Sequence, residues 1–290
     1  MNHKSFHRAL QNIIIAILNL SILMTGCAPA MHYPKIITLG FVDGGFEISV
    51  LDLSKGIRQY VTNSHGISPT SYSYCEAKKQ VVYSAFAENG QELIFMDLTN
   101  YRTEALTHGN NDFRFPVWSP DCSMLAFTSF GSDPNVFILN PENSQTHPVS
   151  SQEGISLEGA SWSPNSHFLA TYIPVASPNN QEKFDLGIVD TTTNKLATRI
   201  NGSIAYPFSE IIWNADSDKI YYAAMRDTAS FDIYMFNLND NTETPFIQTA
   251  FHDVYPVLSS DGKYLSFLQA SSNQATYLVG LLDSSVGLVL

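Results

Sequence analysis

From Lys35 onward the chain is made of short runs in which apolar and polar positions alternate, with turn residues separating one run from the next. One phrase returns several times. It reads WSPDCSMLAF at Trp118–Phe127, WSPNSHFLAT at Trp162–Thr171, WNADSDKIYY at Trp213–Tyr222 and LSSDGKYLSF at Leu258–Phe267. An eroded copy, YCEAKKQVVY, occupies Tyr74–Tyr83. The five copies start at positions 74, 118, 162, 213 and 258 and align without an internal gap. A second phrase, an apolar alternation closing on Asp or Asn, occurs at Phe46–Asp52, Leu93–Asp97, Val136–Asn140, Leu186–Asp190, Ile233–Asn237 and Tyr277–Asp283. A shorter stretch ends several units, as at Arg58–Thr62, Glu104–Thr107 and Thr146–Val149.

Short runs rich in β-branched and aromatic residues predict strands. Ser-Pro-Asp between two runs predicts a tight turn, because Pro fixes φ and Asp or Asn bonds nearby backbone. Each unit is thus four short strands. One such sheet cannot bury both faces alone, but sheets stacked around an axis can, at roughly 40–50 residues per blade. The expected fold is all-β, a six-bladed β-propeller of four-stranded antiparallel blades. Six closing strands set the number of blades, and five inner phrases imply that the first blade, starting near Lys35, lacks a full innermost strand. Ser285–Leu290 supplies an outer strand to the last unit. The Trp of each unit is expected to pack between blades as core.

The phrase WSPD-x-x-x-LAF, followed by an apolar strand ending in Asp, resembles the PD40 or WD40-like repeat of TolB-type propellers, and the resemblance covers about residues 36–290. It implies fold far more than activity. TolB itself carries an α/β domain before its propeller, for which this chain leaves no room, and TolB is soluble in the periplasm. The expectation is therefore a TolB-like propeller occupying 35–290, in a protein distinct from TolB.

The first residues read as an address. Lys4 and Arg8 precede the apolar run IIIAILNLSILM at Ile13–Met24, which is long enough for a signal peptide and short of the roughly 17–25 apolar residues of a spanning helix. Leu23-Met24-Thr25-Gly26-Cys27 resembles the lipobox of bacterial lipoproteins, with Met24 where Leu is usual. That resemblance implies a signal peptide at 1–26, lipidation of Cys27 and a spacer up to residue 34. The alternative is an ordinary signal peptide cut after Ala28-Pro29-Ala30. Both export the body. By resemblance to the sorting of enterobacterial lipoproteins, Ala28 rather than Asp after the Cys implies the outer membrane, facing the periplasm or the cell surface. Cys75 and Cys122 remain in an oxidising compartment, where a bridge is open to them, but their places in the repeat differ by three positions, which argues against one.

Charge narrows the function. The chain holds 15 Lys+Arg against 27 Asp+Glu, net −12, and loss of Lys4 and Arg8 with the leader makes this −14. An acidic chain has no basic footprint for phosphates, which disfavours nucleic acid as a partner. Charged residues are only 14%, too few for coiled coils. No zinc helix, nucleophile elbow or phosphate-cradling glycine loop occurs. The histidines of the body show no metal-like spacing, so neither metal nor cofactor is expected. The loops entering the inner strands, Asn111–Phe115, Ser156–Gly159, Pro207–Glu210 and His252–Tyr255, offer Asp112, Arg114, Glu158, Glu210, His252, Asp253 and Tyr255 at the mouth of the ring. The expected function is that of a non-catalytic envelope lipoprotein, a binding or scaffold module for an envelope protein or peptide, with a basic segment favoured. The alternative is a hydrolase or lyase with its site in the central funnel, which requires convergent carboxylates or His with a metal.

Overall fold

The outer turns show why the strands begin and end where they do. In blades 1 to 5 the closing Asp or Asn accepts, through its side-chain oxygen, the main-chain N–H two residues on. Asp52 takes Ser54 at 3.0 Å, Asp97 takes Thr99 at 2.7 Å, Asn140 takes Glu142 at 2.9 Å, Asp190 takes Thr192 at 2.8 Å and Asn237 takes Asn239 at 2.9 Å. Four residues after each comes a left-handed residue that turns the chain back: Gly56, Tyr101, Ser144, Asn194 and Asn241, with φ between 54 and 63°. The Asp that closes each apolar alternation is thus a turn device.

The inner turn has its own circuit. Ser119 Oγ accepts from Met124 N at 2.9 Å and donates to Asp121 Oδ1 at 2.6 Å, while Asp121 Oδ1 accepts Ser123 N at 3.0 Å. Ser163 and Asn165 repeat this with Phe168 and His167, and Ser259 and Asp261 with Tyr264 and Lys263. Asn214 substitutes for the Ser, its Oδ1 accepting Lys219 N at 2.8 Å. The fourth turn residue is left-handed in all four: Cys122 at 59°, Ser166 at 60°, Ser217 at 62° and Gly262 at 70°.

A computed structural model describes residues 35–42, 45–62, 69–87, 90–108, 112–130, 135–149, 156–175, 183–200, 204–205, 210–226, 230–259, 261–270, 277–283 and 287–289, with the backbone alone for 135, 156–159, 174, 204–205, 277–283 and 287–289. The leader at 1–26, Cys27 and the spacer to residue 34 lie outside the described residues. Blade 1 is β1 (Lys35–Val42), β2 (Gly45–Asp52) and β3 (Ile57–Tyr60). Blade 2 is β4 (Pro69–Cys75), β5 (Gln80–Ala87), β6 (Gly90–Asp97) and β7 (Arg102–Ala105). Blade 3 is β8 (Asp112–Trp118), β9 (Leu125–Phe130), β10 (Asn135–Asn140) and β11 (Gln145–Pro148). Blade 4 is β12 (Ser156–Trp162), β13 (Phe168–Val175), β14 (Lys183–Asp190) and β15 (Lys195–Ile200). After a short β16 (Ile204–Ala205), blade 5 is β17 (Ile212–Trp213), β18 (Lys219–Met225), β19 (Asp232–Asn237) and β20 (Thr242–Ile247). Blade 6 is β21 (His252–Leu258), β22 (Tyr264–Ala270), β23 (Tyr277–Asp283) and β24 (Gly287–Val289).

Pairing within each blade is antiparallel between successive strands. This is the six-bladed propeller, with blade 1 showing three strands, in the order β1-β2-β3, among the described residues. One feature was not legible in the repeat. β16 pairs with β14 on one side and β18 on the other, joining blades 4 and 5 in one nine-stranded sheet.

The core lies between blades. Ala126, Val136, Ile138 and Val149 of blade 3 pack with Trp162, Leu169, Ile173 and Val189 of blade 4. Tyr172, Leu186 and Ile188 of blade 4 pack with Trp213, Ile220, Tyr222 and Tyr234 of blade 5. Trp118, Trp162 and Trp213 are each 6% exposed. The indole N–H of Trp162 donates to the Val117 carbonyl, and that of Trp213 to the Ser161 carbonyl, both at 3.0 Å. Each Trp therefore fills a seam, as expected of core residues, and the indoles of Trp162 and Trp213 also bond the preceding blade.

The expectation against a bridge is corrected. Cys75 and Cys122 form a disulfide, with Cα atoms 5.8 Å apart, in the seam between blades 2 and 3. The offset of three repeat positions misleads because the two residues face each other from neighbouring blades. Cys75 ends an inner strand, and Cys122 is the left-handed turn residue that reaches back to the preceding blade.

Candidate functional site

The inner strands start at the mouth of the ring, and β8 sets the first polar pair there. Asp112 and Arg114 are two apart on a strand, so they share a face. Their side chains form an ion pair, and the Arg114 guanidinium lies over the Phe130 ring, 5.3 Å from its centroid. Next, Phe115 adopts a left-handed φ of 55° before Pro116, and the register of β8 against β9 shifts between Arg114 and Val117. Blade 6 repeats the device. Tyr255, also at 55°, precedes Pro256, and β21 shifts against β22 between Val254 and Val257. A left-handed φ is unfavourable for aromatic residues, and the bulge re-aims side chains at the strand's entry.

Asp253 lies inside the protein, at 0% exposure. It accepts from the Thr249 N–H and hydroxyl, both at 3.0 Å, and from Gln269 Nε2 at 3.2 Å. Burial pushes its carboxyl above the usual range, with the nearby Asp232 adding to the effect and the Thr249 and Gln269 hydrogen bonds opposing it. His252 Nδ1 accepts the Phe231 N–H at 3.1 Å, so this nitrogen serves as an acceptor holding the blade 5 backbone. Glu210 is exposed. Surrounding protein nevertheless raises its carboxyl through desolvation, and its charge raises the phenol of buried Tyr172. Glu158 lies on β12, and its side chain is outside the described ones.

The structure therefore brings Asp112 and Arg114 together at the start of β8, and His252, Asp253 and Tyr255 at the start of β21. Sequence reasoning missed two groups. In blade 5, Arg226 and Tyr222 both bond Glu243, and the Arg226 guanidinium sits 5.1 Å from the Tyr234 ring centroid. No repeat phrase signals this network, because its members fall at positions occupied by other residues in the other blades. The second group was legible. Phe41, Phe86 and Phe130 occupy one repeat position, near the mouth-facing end of the second strand, in blades 1, 2 and 3. Among the described residues, no three or more His, Cys, Asp or Glu side chains are grouped to hold a metal ion.

Comparison with known proteins agrees with this architecture. Over 168 residues the chain is 28% identical to the Tol-Pal system protein TolB of Gluconobacter oxydans, covering 57% of this chain and 37% of that one. The chain thus matches less than two thirds of this relative's length. The crystal structure of TolB from Acinetobacter baumannii superposes with a TM-score of 0.55 at 17% identity, over 88% of this chain and 67% of that one. An oligogalacturonate lyase from Vibrio parahaemolyticus superposes at 0.63 with 13% identity, over 82% and 72%. Identities this low speak to fold alone. Residues 81–288 match PD40, the TolB beta propeller domain, and with the repeat and the ring described above, the chain belongs to that family.

Proposed function

We propose that this chain is a non-catalytic binding or scaffold module of the bacterial envelope, holding a protein or peptide partner at the mouth of its ring. The observation that carries the reading is how the polar groups of the mouth are used. Asp112 pairs with Arg114, Asp253 is enclosed by Thr249 and Gln269, and His252 holds the Phe231 main chain. These contacts build a rigid rim, the usual platform for recognition loops. Likeness to a Tol-Pal system protein supports an exported, envelope-associated setting. In this reading Cys27 carries the lipid that tethers the ring to the outer membrane, through the spacer ending at residue 34.

A net charge of −12 and an exposed Glu210 favour a basic partner segment, drawn in by long-range attraction that weakens with salt. The test is capture from envelope extracts, then association kinetics with the captured protein at two salt concentrations. Glu210→Lys should slow association several-fold with little change in dissociation, since rim charges act mainly on the on-rate. Turnover in a hydrolase and lyase screen, lost in Glu210→Gln, would replace the reading with an enzyme. Intact masses of wild type and Cys27→Ala test the tether separately. Masses differing only by the substitution would remove the lipid.

A further inference from the structure

Second strands should be among the best-buried strands of a propeller, because each has a neighbour on both sides. β5, β9 and β18 are buried along most of their length. β1 is the second strand of blade 1, since its Phe41 aligns with Phe86 of β5 and Phe130 of β9, yet Ile37 is its only buried residue. Among the described residues no strand lies on its far side.

The register identifies the groups that face away from β2. Val42 and Gly45 pair across a two-residue connection, so they form the hydrogen-bonded pair closing the hairpin, and bonded and non-bonded pairs alternate from there. The main-chain N–H and C=O of Phe41, Leu39, Ile37 and Lys35 therefore point away from β2. An independent contact agrees: the Tyr72 hydroxyl of blade 2 donates to the Ile37 carbonyl at 2.8 Å. At the mouth end of this edge, Phe41 is 65% exposed and meets Phe46, 41% exposed, edge-on with centroids 5.3 Å apart. Phe86, at the same position of blade 2, is 54% exposed. Open edges are usually blunted by Lys, Pro or a bulge. Beyond Lys35 at its start, β1 has none of these.

We propose that the open inner edge of blade 1 is a seat for an extended segment of a partner protein, which completes the blade by antiparallel addition to β1. This rests on the binding-module reading and specifies a contact for it. The strands that fill this place elsewhere define the occupant: DFRFPVW in β8 and HDVYPVL in β21, with aromatic or branched residues recurring and an apolar end. Its aromatic residue packs on Phe41, Phe46 or Phe86, and it carries no net negative charge, because this chain at −12 would repel an acidic strand. The chain's own leader is a poor occupant. Blade 3 joins its first two strands through residues 119–124, and the same connection before Lys35 would put the strand at 22–28, in the segment expected to be removed or lipidated. Main-chain hydrogen bonds supply the affinity and side-chain contacts the selectivity.

The probe is a synthetic peptide carrying the β8 sequence DFRFPVW with a lysine tail, added to the whole protein. The expected result is saturable binding with slowed amide exchange at Leu39 and Phe41, and no change at Thr38 and Gly40, whose amides already bond β2. Phe41 is exposed, so its variants should keep the fold, checked by far-UV circular dichroism. Phe41→Ser loses the aromatic contact and should weaken binding. Phe41→Pro also loses an edge N–H and should bind about tenfold more weakly than Phe41→Ser, the equivalent of one main-chain hydrogen bond. Absence of binding, or equal binding by the Pro and Ser variants, overturns the proposal. Amides of Leu39 and Phe41 already slow in the free protein would mean that the chain covers its own edge, which overturns it too. Self-association abolished by Phe41→Pro would give the seat to a second copy, again overturning it. An envelope partner retained by Phe41→Pro but lost in Glu210→Lys would remove the seat and leave the mouth reading standing.

Discussion

The seam between blades 2 and 3 and the seams that follow it differ at one turn residue. That residue is the fourth of the inner turn, left-handed each time, and in blades 3 to 5 it reaches the turn of the preceding blade. Between blades 2 and 3 it is Cys122, bonded covalently to Cys75. Between blades 3 and 4 it is Ser166, whose hydroxyl accepts the Asp121 N–H at 3.2 Å, and between blades 4 and 5 it is Ser217, which accepts the Asn165 N–H at 3.1 Å. In blade 6 it is Gly262, and a Cβ built there meets nothing within 4 Å. The indoles follow a related division. Trp162 and Trp213 donate across their seams, whereas Trp118 Nε1 is buried without a hydrogen-bond partner among the described residues. One backbone geometry thus carries a covalent bond, a hydrogen bond or no cross-link, and the side chain alone decides how firmly neighbouring blades are joined.

The largest effect should come from the indoles. Trp162→Ala or Trp213→Ala should destabilise by about 3–5 kcal/mol in urea unfolding, as for emptying a large aromatic core site. Trp118→Ala should cost less, because its seam keeps the disulfide and loses no indole hydrogen bond. Equal costs for the three would dissolve the distinction between seams.

Removing the bridge with Cys75→Ser/Cys122→Ser should cost about 2–4 kcal/mol, the usual range for a native disulfide. Reduced wild type should match the double variant in thermal melts. A melting temperature unmoved by reduction would show that packing alone holds blades 2 and 3.

Ser166→Ala and Ser217→Ala should each cost about 1–2 kcal/mol, since a turn N–H loses its acceptor. Chemical denaturation midpoints measure this, and a cost below the error of the fit would reduce the hydroxyls to bystanders.

The smallest effect is a dependence on pH. Burial pushes the Asp121 carboxyl up, but hydrogen bonds from Ser119, Ser123 and Ser166 outweigh it and hold the group below its usual range. A carboxylate lowered in the folded state contributes stability above its unfolded value of about 3.9, and that contribution fades as pH falls through the folded value. Blade 2 has Ala77 at the equivalent position, so acid should loosen the inner turn of blade 3 and spare that of blade 2. Asp121→Asn should flatten the acid limb of the stability curve, and an unchanged limb would rule out this contribution.

Most of the fold could be read before the structure, because its signals are local. Ser119, Pro120 and Asp121 make their turn with atoms a few residues away, and Asp97 closes its strand the same way, so spacing along the chain suffices. The site was less legible because its geometry is set across blades. Asp253 and His252 read as rim groups, yet Asp253 is enclosed by Thr249 and Gln269, and His252 Nδ1 accepts the Phe231 N–H from blade 5. Cys75 and Cys122 looked mismatched for the same reason. Repeat positions compare blades as though superposed, while contacts form between blades set side by side.

The two residues of β16 have a consequence for how the ring comes apart. Ile204 pairs with Phe184 of β14 and with Met225 of β18, so one hydrogen-bonded ladder runs through two blades. Repeat proteins open piecewise along their weakest couplings. Blades 4 and 5 should act as one cooperative unit, opening and reclosing together. Local unfolding would then divide the ring into parts of unequal size, with this double-width segment as its most persistent fragment.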